Sequence, residues 1–466
     1  MNWKFKMSQF DNETLALTFR APDFNKPKLD WANSNSDVRV PYQRDLGRII
    51  HSSSFRRLQT KTQVMGAGEG DFHRTRLTHS LEVGQIGRGI VWRLGSIMSD
   101  DDRKFLPPTE LMEAICYGHD LGHPPFGHGG EVSLHKVMAR YGGFEGNAQT
   151  LRILTKLEKY SPRGGLAPTR RLLLGVLKYP IAYSEYGEKS FGKKPPKCFY
   201  DDDKLIVDKA LDIFPQNDIV IFRSLSPDGK PEYRNFDCAI MELADDIAYG
   251  VHDLEDGIGR KFLKKDDVAD KIRDIFINND IKEITAGQVK LTIDGLINHL
   301  FSKDPRQLKF AISTMVGYFV EQIIVFRRGI FESPYLDLTV SMPEGSRKAI
   351  EFLSKKITYE NIISRPEIQT LEFKGERIIS DIFDALSRDP LSLIGEETLE
   401  MQLTGLTNIL KEAKNNNYEW RNLSENERNI VARGICDFIA SMTDLSAERY
   451  HRRLYEPGYG SSTDEL

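Results

Sequence analysis

The sequence of 466 residues has little cysteine, no excess of positive charge and no long hydrophobic run. Its four cysteines are scattered without a CxxC spacing, which argues against a disulfide framework or a thiolate zinc site and fits a reducing cytosol. There are 64 basic residues against 68 acidic ones, a net charge of −4. No global positive field therefore exists to hold nucleic acid, and any site for a polyanion must be a local patch.

Signals for a membrane or for secretion are also missing. The amino terminus has no continuous apolar segment followed by a small-residue cleavage site. The most apolar stretch, Met315–Phe326, is interrupted by Glu321 and is too short to span a bilayer. Because 40% of the residues are hydrophobic and 28% are charged, the composition is that of a globular protein. We expect a cytoplasmic protein with no membrane partner.

Helical periodicity dominates what remains. Apolar residues recur three and four positions apart in several segments, which predicts amphipathic helices. The predicted helices are one from near Ser80 to Ile97, Leu111–Gly118 with Thr109 as its cap, Phe236–Leu254, Gln307–Phe326, Gly375–Leu386 and Glu425–Leu454. Extended candidates are few, the best being Asp218–Phe222 followed by a turn at Pro227–Lys230. The predicted fold class is all-α with small β elements.

The expected domain organisation has four parts. They are an N-terminal extension at 1–39, a helical core at 40–280, a C-terminal helical lobe at 281–455 and a mobile tail at 456–466. Two basic stretches with glycine and proline, 161–168 and 187–197, are expected to be exposed insertions in the core. The tail is rich in glycine and serine and is acidic, which is typical of a mobile terminus.

Histidines and carboxylates cluster in one short segment. Its members are His119, Asp120, His123, His128 and Glu131. Glycines and a Pro-Pro pair should end the preceding helix at about Gly122, so that a loop can bring these side chains together. His119 and Asp120 supply two ligands, and His79 with one more carboxylate would complete four. Imidazole nitrogen with carboxylate oxygen suits Mn, Fe, Co, Ni or Zn, or Mg if water completes the shell.

A second carboxylate group lies far along the chain. Asp245, Tyr249 and Asp253 are spaced four residues apart, so they share one face of a helix. Asp245 and Asp246 are adjacent in an amphipathic segment, where burial without a cation would be costly. The alternative for this pair is a solvated helix face.

These residues and the segments around them resemble the HD-domain phosphohydrolases. The order His79, His119-Asp120, Asp245 matches the H…HD…D metal signature of that family. The wider pattern resembles the dGTPase-type deoxynucleoside triphosphate triphosphohydrolases. The matching segments are Phe55–Gln59, Arg74–Val83, His119–Glu131, Gly142–Leu154, Met241–Asp256 and Ser441–Tyr450. They run in the family's order from about residue 40 to 455 and imply an HD-domain helical core with an additional C-terminal helical lobe.

The resemblance also implies roles for single residues. The implied metal ligands are His79, His119, Asp120 and Asp245. The implied catalytic residues are His128 and Glu131 as a pair and His123 beside the phosphates. The implied substrate-binding residues are Gln63 at the sugar edge, Arg76 on a phosphate, and Tyr249 and Asp253 at the 3′-hydroxyl. Many relatives carry an Arg-Tyr pair where this chain has Leu445 and Ser446 after Asp444, so no phosphate contact is carried over to the C-terminal lobe, Arg433 included.

The implied activity is metal-dependent hydrolysis of a dNTP, with dGTP favoured, to a deoxynucleoside and tripolyphosphate. The implied cofactor is a divalent metal (Mn, Mg or another first-row metal), and the implied assembly is a homo-oligomer, a hexamer or tetramer. A polyphosphate needs fixed cations. The window Arg39–Lys61, with Arg74 and Arg76, predicts a local basic surface for it.

Two other functions fit part of the same pattern. One is a different HD-type phosphohydrolase, either a 5′-nucleotidase or a phosphodiesterase. The other is a single-stranded nucleic-acid-binding protein with a vestigial HD site, in which the basic stretch Lys189–Lys197 would contact single-stranded DNA. The loop from His123 to Glu131 and the spacing from Asp245 to Asp253 favour the triphosphohydrolase over the first. The complete ligand set favours it over the second.

Overall fold

A computed structural model describes residues 12–22, 24, 39–63, 74–162, 165–191, 194–395, 406–415 and 419–461. Most of the predicted N-terminal extension and the end of the predicted tail lie outside these residues. The described residues form an all-α fold with two small antiparallel sheets, which confirms the predicted fold class. None of the described helices is both long enough and apolar enough to cross a membrane.

Up to about residue 280, the regular secondary structure of the described residues is helical. Its helices are α1 (Asn12–Ala16), α2 (Pro41–His51), α3 (Ser53–Arg57), α4 (Arg76–Ile97), α5 (Asp100–Arg103), α6 (Thr109–Gly118), α7 (Gly127–Met138), α8 (Gly146–Arg152), α9 (Arg170–Val176), α10 (Lys204–Leu211), α11 (Gln216–Phe222), α12 (Phe236–Gly259) and α13 (Lys265–Ile277). Single-turn 3-10 segments lie at Leu58–Thr60 and Asp201–Asp203, two more lie within Tyr183–Phe191 on either side of a kink at Gly187, and α8 continues as a π-helix through Ile153–Leu157.

The later part of the chain adds the two sheets and the remaining helices. Its elements are β1 (Glu283–Ala286), β2 (Val289–Thr292), α14 (Ile293–Leu300), α15 (Pro305–Glu321), β3 (Ile324–Arg327), α16 (Pro334–Asp337), β4 (Leu338–Ser341), α17 (Glu344–Glu351), α18 (Pro366–Arg388), α19 (Pro390–Ile394), α20 (Leu406–Asn415), α21 (Glu425–Ser441) and α22 (Asp444–Tyr455). Strand β1 pairs with β2 and β3 pairs with β4, with Glu283 opposite Thr292 and Ile324 opposite Ser341. Two π-helical segments, Phe352–Ile357 and Tyr359–Ile363, connect α17 to α18.

Helix α4 begins earlier than its apolar pattern predicts. The hydroxyl of Thr75 accepts a hydrogen bond from the backbone N–H of Thr78, and the hydroxyl of Thr78 accepts one from the backbone N–H of Thr75. This reciprocal capping starts the helix at Arg76 rather than near Ser80. Arg76 and His79 therefore lie on its first turn, where rigid backbone fixes their directions.

The loop after α6 depends on close backbone approach. Helix α6 ends at Gly118, four residues before the predicted break, and no side chain caps its start, so the predicted cap at Thr109 is wrong. A Cβ atom at Gly122 would lie 2.1 Å from the carbonyl oxygen of Gly146 on α8, so only glycine fits there. Phe126, the residue before α7, has left-handed backbone angles (φ 64°, ψ 27°), which aim α7 back across the loop.

The predicted strand from Asp218 to Phe222 is wrong, because these residues lie in helix α11. Asp218 and Phe222 are buried, while Val220 between them is 62% exposed. A strand would place all three on one face, whereas a helix separates Val220 from the other two. The turn predicted after it is present, with the backbone N–H of Ser226 donating to the carbonyl of Lys230 at 2.8 Å.

Two predicted helices are too long. The helix predicted to reach Phe326 ends at Glu321, and strand β3 follows it. The single helix predicted from Glu425 is two helices, α21 and α22. The second begins afresh because the hydroxyl of Thr443 accepts a hydrogen bond from the backbone N–H of Ser446.

The described residues bury two hydrophobic cores. Helices α4, α6 and α12 meet in the first core around residues such as Ile115, and this core includes side chains from Leu17 to Ile368. Helices α7, α18, α21 and α22 meet in the second core around Ile379 and Ile435. The first core contains residues on both sides of position 280, and the domain boundary near it stays a prediction.

A buried ion pair lies between the two cores. The guanidinium Nε of Arg152 donates to both carboxylate oxygens of Asp437, at 3.0 and 2.9 Å, and both side chains are fully buried. The Gln149 amide also donates to Asp437 at 2.9 Å. Each charge is shielded from water, so each depends on the other for compensation.

Replacing Asp437 with alanine should therefore destabilise the fold strongly. The change leaves the Arg152 guanidinium buried without its carboxylate, which costs roughly 3–5 kcal/mol of the free energy of unfolding. Arg306→Ala is the control, because it breaks an ion pair with Asp304 that is exposed to solvent. Thermal unfolding should show a clear drop in midpoint for Asp437→Ala only, and equal midpoints for both variants would contradict this expectation.

Candidate metal centre and catalytic loop

The four predicted metal ligands converge on one point from three helices. Single ligand atoms of His79 on α4 and of His119 and Asp120 after α6 all lie within 4.8 Å of one another. Asp245 on α12 places its Oδ1 3.1 Å from His79 Nε2 and 3.7 Å from His119 Nε2. Burial raises the pKa of Asp245, but the imidazoles of His119 and His79 outweigh it and hold that pKa below its usual range.

The donor set fits a divalent cation. The Nδ1 atom of His119 lies 2.6 Å from the carbonyl oxygen of Cys116, which acts as acceptor and leaves the lone pair on Nε2. That Nε2 is buried, has no hydrogen-bond partner among the described residues and faces Asp120 Oδ1 at 3.3 Å. Imidazole nitrogens and carboxylate oxygens in this number are the ligands of first-row divalent metals.

Asp120 is held in its ionised form. Arg76 donates to its Oδ2 at 2.8 Å, and His123 Nδ1 lies 3.0 Å from its Oδ1. Burial raises the pKa of Asp120, but His123, His119 and Arg76 together hold it well below its usual range. Arg76, predicted as a phosphate ligand, is thus also the partner of a metal-ligand candidate.

His128 and Glu131 stand together on the first turn of α7. His128 Nδ1 lies 3.5 Å from Glu131 Oε2, and Glu131 Oε1 accepts a hydrogen bond from the backbone N–H of Gly146 at 3.0 Å. Burial raises the pKa of Glu131, but His128, Lys197, His123 and the Gly146 N–H hold it below its usual range. The His128 side chain is 59% exposed, so the arrangement is an accessible imidazole oriented by a fixed carboxylate.

Tyr249 and Asp253 follow Asp245 along α12 by one and two turns. Asp253 is buried, and its Oδ2 has no hydrogen-bond partner within the described part of the chain. Burial, together with the negative charge of Asp256, raises the pKa of Asp253 well above its usual value. Buried polar atoms are normally hydrogen-bonded, so this oxygen is a candidate partner for a ligand hydroxyl.

A cavity of about 130 Å³ opens beside these residues. Gln63, His128 and Tyr249 form its polar wall, and Ile368 and Leu371 of α18 contribute its apolar wall. The Oε1 atom of Gln63 is buried without a hydrogen-bond partner in the described ranges. The cavity thus adjoins the residues assigned to the sugar. A larger cavity of about 250 Å³ lies behind the loop and contains none of the predicted site residues.

Sequence reasoning missed a group that we call the basic cluster, formed by Lys178, Lys197 and Arg234. These three side chains are partly buried around the ring of Tyr179, with Lys197 and Arg234 at 5.4 and 5.0 Å from its centre. Lys178 and Arg234 both pair with Glu242, at 3.3 and 3.1 Å. Glu242 lies on α12 one turn before the metal-ligand candidate of that helix.

The positive charges of the basic cluster lower the pKa of carboxylates in the metal centre and in the catalytic pair. Lys178 is close enough to contribute to the low pKa of Asp245, and Lys197 contributes to the low pKa of Glu131. Its residues come from the end of α9, from the stretch predicted as an exposed insertion, and from the segment before α12. No periodicity or fixed spacing links these three residues in the sequence. The only sequence feature that could have indicated the cluster is a basic residue, Lys178, next to Tyr179 and Pro180.

The basic surface predicted from the earlier arginines is largely used within the fold. Arg48 donates to the carbonyl oxygens of Leu166 and Ala167, at 2.8 Å each. Arg74 pairs with Glu82 and Asp256 at 2.7 and 2.6 Å. These side chains brace loops and helices instead of forming an open cationic face.

Arg433 is used within the fold, and much of the predicted DNA-binding stretch lies outside the described residues. Arg433 is buried, stacks 3.8 Å from the ring centre of Tyr200 and donates to the carbonyl oxygens of Gly142 and Gly143. These contacts agree with carrying no phosphate role over to it. The side chains from 188 to 193 lie outside the described residues, so the DNA contact stays a prediction.

Comparison with known proteins confirms the family that the sequence resembles. Residues 76–164 match the HD domain family, and residues 340–453 match the phosphohydrolase-associated domain. Deoxyguanosinetriphosphate triphosphohydrolase-like protein 2 of Deinococcus radiodurans is 41% identical, across 95% of this chain and 98% of its own. Deoxyguanosinetriphosphate triphosphohydrolase-like proteins of Shewanella sediminis and Shewanella oneidensis are each 40% identical, across 91% and 90% of this chain and 94% of theirs. The chain belongs to the deoxyguanosinetriphosphate triphosphohydrolase-like family of HD-domain proteins.

Proposed function

We propose that this protein hydrolyses a deoxynucleoside triphosphate at the α-phosphorus and releases a deoxynucleoside and tripolyphosphate. One observation carries the proposal, namely the order of groups along helix α12. The basic cluster pairs with Glu242, the ligand cluster contains Asp245 one turn later, and Tyr249 and Asp253 follow by one and two further turns. These positions span about 16 Å of helix axis. They supply, in sequence, cations for a polyphosphate, a centre for the reacting phosphorus and partners for a sugar.

His79, His119, Asp120 and Asp245 would hold a divalent metal, which HD domains bind. Bound there, Mn, Mg or another first-row metal would polarise the phosphate and increase the acidity of water. The low pKa values of Asp120 and Asp245 mean that both carboxylates are ionised at neutral pH and need no proton loss before ligation.

The protein's own acid and base chemistry falls to His128 and Glu131. Attack of water on the α-phosphorus adds its oxygen to the polyphosphate and breaks the bond to O5′, which must then take a proton. Nδ1 of His128 lies 3.5 Å from the Glu131 carboxylate, so Nε2 of the exposed imidazole would be the atom that holds or delivers that proton. Arg76 donates a hydrogen bond to Asp120 and would bring positive charge close to the phosphates, and the His123 imidazole lies 3.0 Å from the same carboxylate.

The basic cluster supplies the charge that a tripolyphosphate leaving group requires. Lys178, Lys197 and Arg234 already share Glu242 and Glu145, so bound phosphates would compete with these carboxylates for the same ammonium and guanidinium groups. Charge-assisted hydrogen bonds of this kind are stronger than neutral ones. Because two of these cations pair with α12 before Asp245, they would direct the phosphates away from Tyr249 and Asp253.

The sugar and base would occupy the opposite side. Asp253 offers an unpartnered buried carboxyl oxygen to a 3′-hydroxyl, Tyr249 forms a wall next to it, and Gln63 offers a buried carbonyl oxygen at the sugar edge. The 130 Å³ cavity beyond them would receive part of the nucleoside. We propose dGTP as the favoured substrate because the relatives carry that name.

Product analysis tests the proposed function. The purified protein is incubated with each of the four dNTPs in Mn²⁺ or Mg²⁺, and the products are resolved by ion-exchange chromatography. We expect a deoxynucleoside and tripolyphosphate in equal amounts, formed fastest from dGTP. Release of orthophosphate or pyrophosphate would contradict cleavage at the α-phosphorus and would favour a different HD-type phosphohydrolase.

Metal analysis tests the ligand assignment independently of turnover. His119→Ala and Asp245→Ala should each lose most of the bound Mn²⁺, because each removes one of four protein ligands. Asp246→Ala is the matched control, since Asp246 is the exposed neighbour of Asp245 and should leave metal content unchanged. Metal loss in Asp246→Ala with full occupancy in Asp245→Ala would reverse the assignment.

A further inference from the structure

Three distant segments of the chain meet at the loop of residues 122–130, which carries His128 and which we call the catalytic loop. Lys61, which follows the 3-10 turn after α3, is buried and donates through Nζ to the carbonyl oxygen of His123 at 2.6 Å. The same ammonium group donates to the carbonyl oxygen of Ala440 near the end of α21 at 2.8 Å. One side chain thus joins the loop to the C-terminal helices.

Asp444, the first residue of α22, also connects the C-terminal helices to the catalytic loop. It is buried, and its Oδ1 accepts a hydrogen bond from the backbone N–H of Phe126 at 3.0 Å. Its Oδ2 accepts hydrogen bonds from the backbone N–H of Thr62, at 3.0 Å, and from the hydroxyl of Thr62. Both carboxylate oxygens are therefore used within the protein, although Asp444 also lines the 130 Å³ cavity.

The contact at Phe126 holds an unusual backbone conformation. Phe126 has φ 64° and ψ 27°, a left-handed geometry that a residue with a Cβ atom adopts only where its surroundings hold it. Gly375 of α18 presses on the same residue, because a Cβ there would lie 2.4 Å from the Cβ of Phe126. His128 follows two residues later, so its direction depends on how Phe126 is held.

The contact at Thr62 holds the other side of the cavity. Thr62 forms an antiparallel bridge with Thr75, the cap of α4, and precedes Gln63. A single carboxylate of Asp444 therefore fixes the loop that carries His128 and the segment that carries Gln63 relative to each other.

We propose that Asp444 is a positioning residue, through which the C-terminal helices hold His128 and Gln63 in register with the metal centre. It acts through the backbone of Phe126 and Thr62 and not by contact with the reacting atoms. Its effect on turnover rests on the proposed function, whereas its effect on the loop does not. Misplacement of a catalytic group by about 1 Å can cost about a hundred-fold in rate, so loss of the Asp444 hydrogen bonds should have a measurable effect on turnover.

The matched control for Asp444 is Asp381. Asp381 on α18 accepts from His451 Nε2 on α22 at 3.0 Å and pairs with Arg377, so it joins two of the C-terminal helices and makes no hydrogen bond or ion pair with the loop at 122–130 among the described residues. Asp381→Ala should therefore loosen the C-terminal helices and leave the loop unchanged. Asp444→Ala should loosen the loop itself.

Hydrogen exchange measured by mass spectrometry separates these effects without any substrate. On the full-length protein we expect faster exchange in residues 122–130 for Asp444→Ala, and exchange equal to the unmodified protein in that segment for Asp381→Ala. Equal protection of residues 122–130 in all three proteins would overturn the proposal. If Asp444→Ala does not fold, the same comparison on Asp444→Asn, which keeps one acceptor oxygen, and on Thr62→Val decides it.

Kinetics then distinguish positioning from general destabilisation. We expect Asp444→Ala to lower kcat about ten- to a hundred-fold while bound Mn²⁺ stays at the unmodified level. In a His128→Ala background the same change should lower kcat less than two-fold, because the catalytic group that it positions is already gone and a loss through Gln63, a substrate-binding residue, would appear in KM. An equal loss in both backgrounds would overturn a role through His128. Absence of turnover in the unmodified protein would contradict the proposed function. The exchange measurement alone would then test whether Asp444 holds the loop.

Discussion

The meeting of His79, His119 and Asp120, with Asp245 beside the two imidazoles, is the constraint on which the rest of the structure depends. Burial raises the pKa values of Asp120 and Asp245, but His123, His119 and Arg76 outweigh it at Asp120, and the imidazoles of His119 and His79 outweigh it at Asp245. Helices α4, α6 and α12 must pack tightly enough to bring these groups together. The capping of α4 by Thr75 and the glycine that lets the loop after α6 approach α8 both serve that packing.

Helix α12 and the two cores divide the remaining tasks. The first core supplies the metal ligands and the basic cluster, and α12 sets the order in which phosphates, metal and sugar would lie. Helix α18 supplies the apolar wall of the 130 Å³ cavity, and the helices of the second core reach the loop that carries His128 through Asp444 and Lys61. The buried pair of Arg152 and Asp437 keeps the two cores in one arrangement. Chemistry proposed for the first core is thus held in place by contacts from the second.

The fold class was predictable from sequence, because local apolar periodicity encodes helices. The His-Asp pair and the four-residue spacing along α12 indicated candidate ligands, but the resemblance to the HD-domain family supplied the full set of four. The basic cluster was not predictable, because Lys178, Lys197 and Arg234 come from loop segments that only tertiary packing unites. The segment from Asp218 to Phe222 was wrongly assigned to a strand, because a short apolar run is compatible with either a strand or a helix and its tertiary contacts determine which one forms. Contacts of Asp444 are also tertiary, and its local sequence shows only a helix start.

The most direct test of cleavage at the α-phosphorus follows the oxygen of water. Hydrolysis of dGTP in ¹⁸O-labelled water with Mn²⁺, with mass spectrometry of both products, shows which fragment receives that oxygen. Attack at the α-phosphorus, with the phosphates on the basic-cluster side and the sugar at Tyr249 and Asp253, predicts label in tripolyphosphate and none in deoxyguanosine. Label in deoxyguanosine, or in released orthophosphate or pyrophosphate, would contradict it.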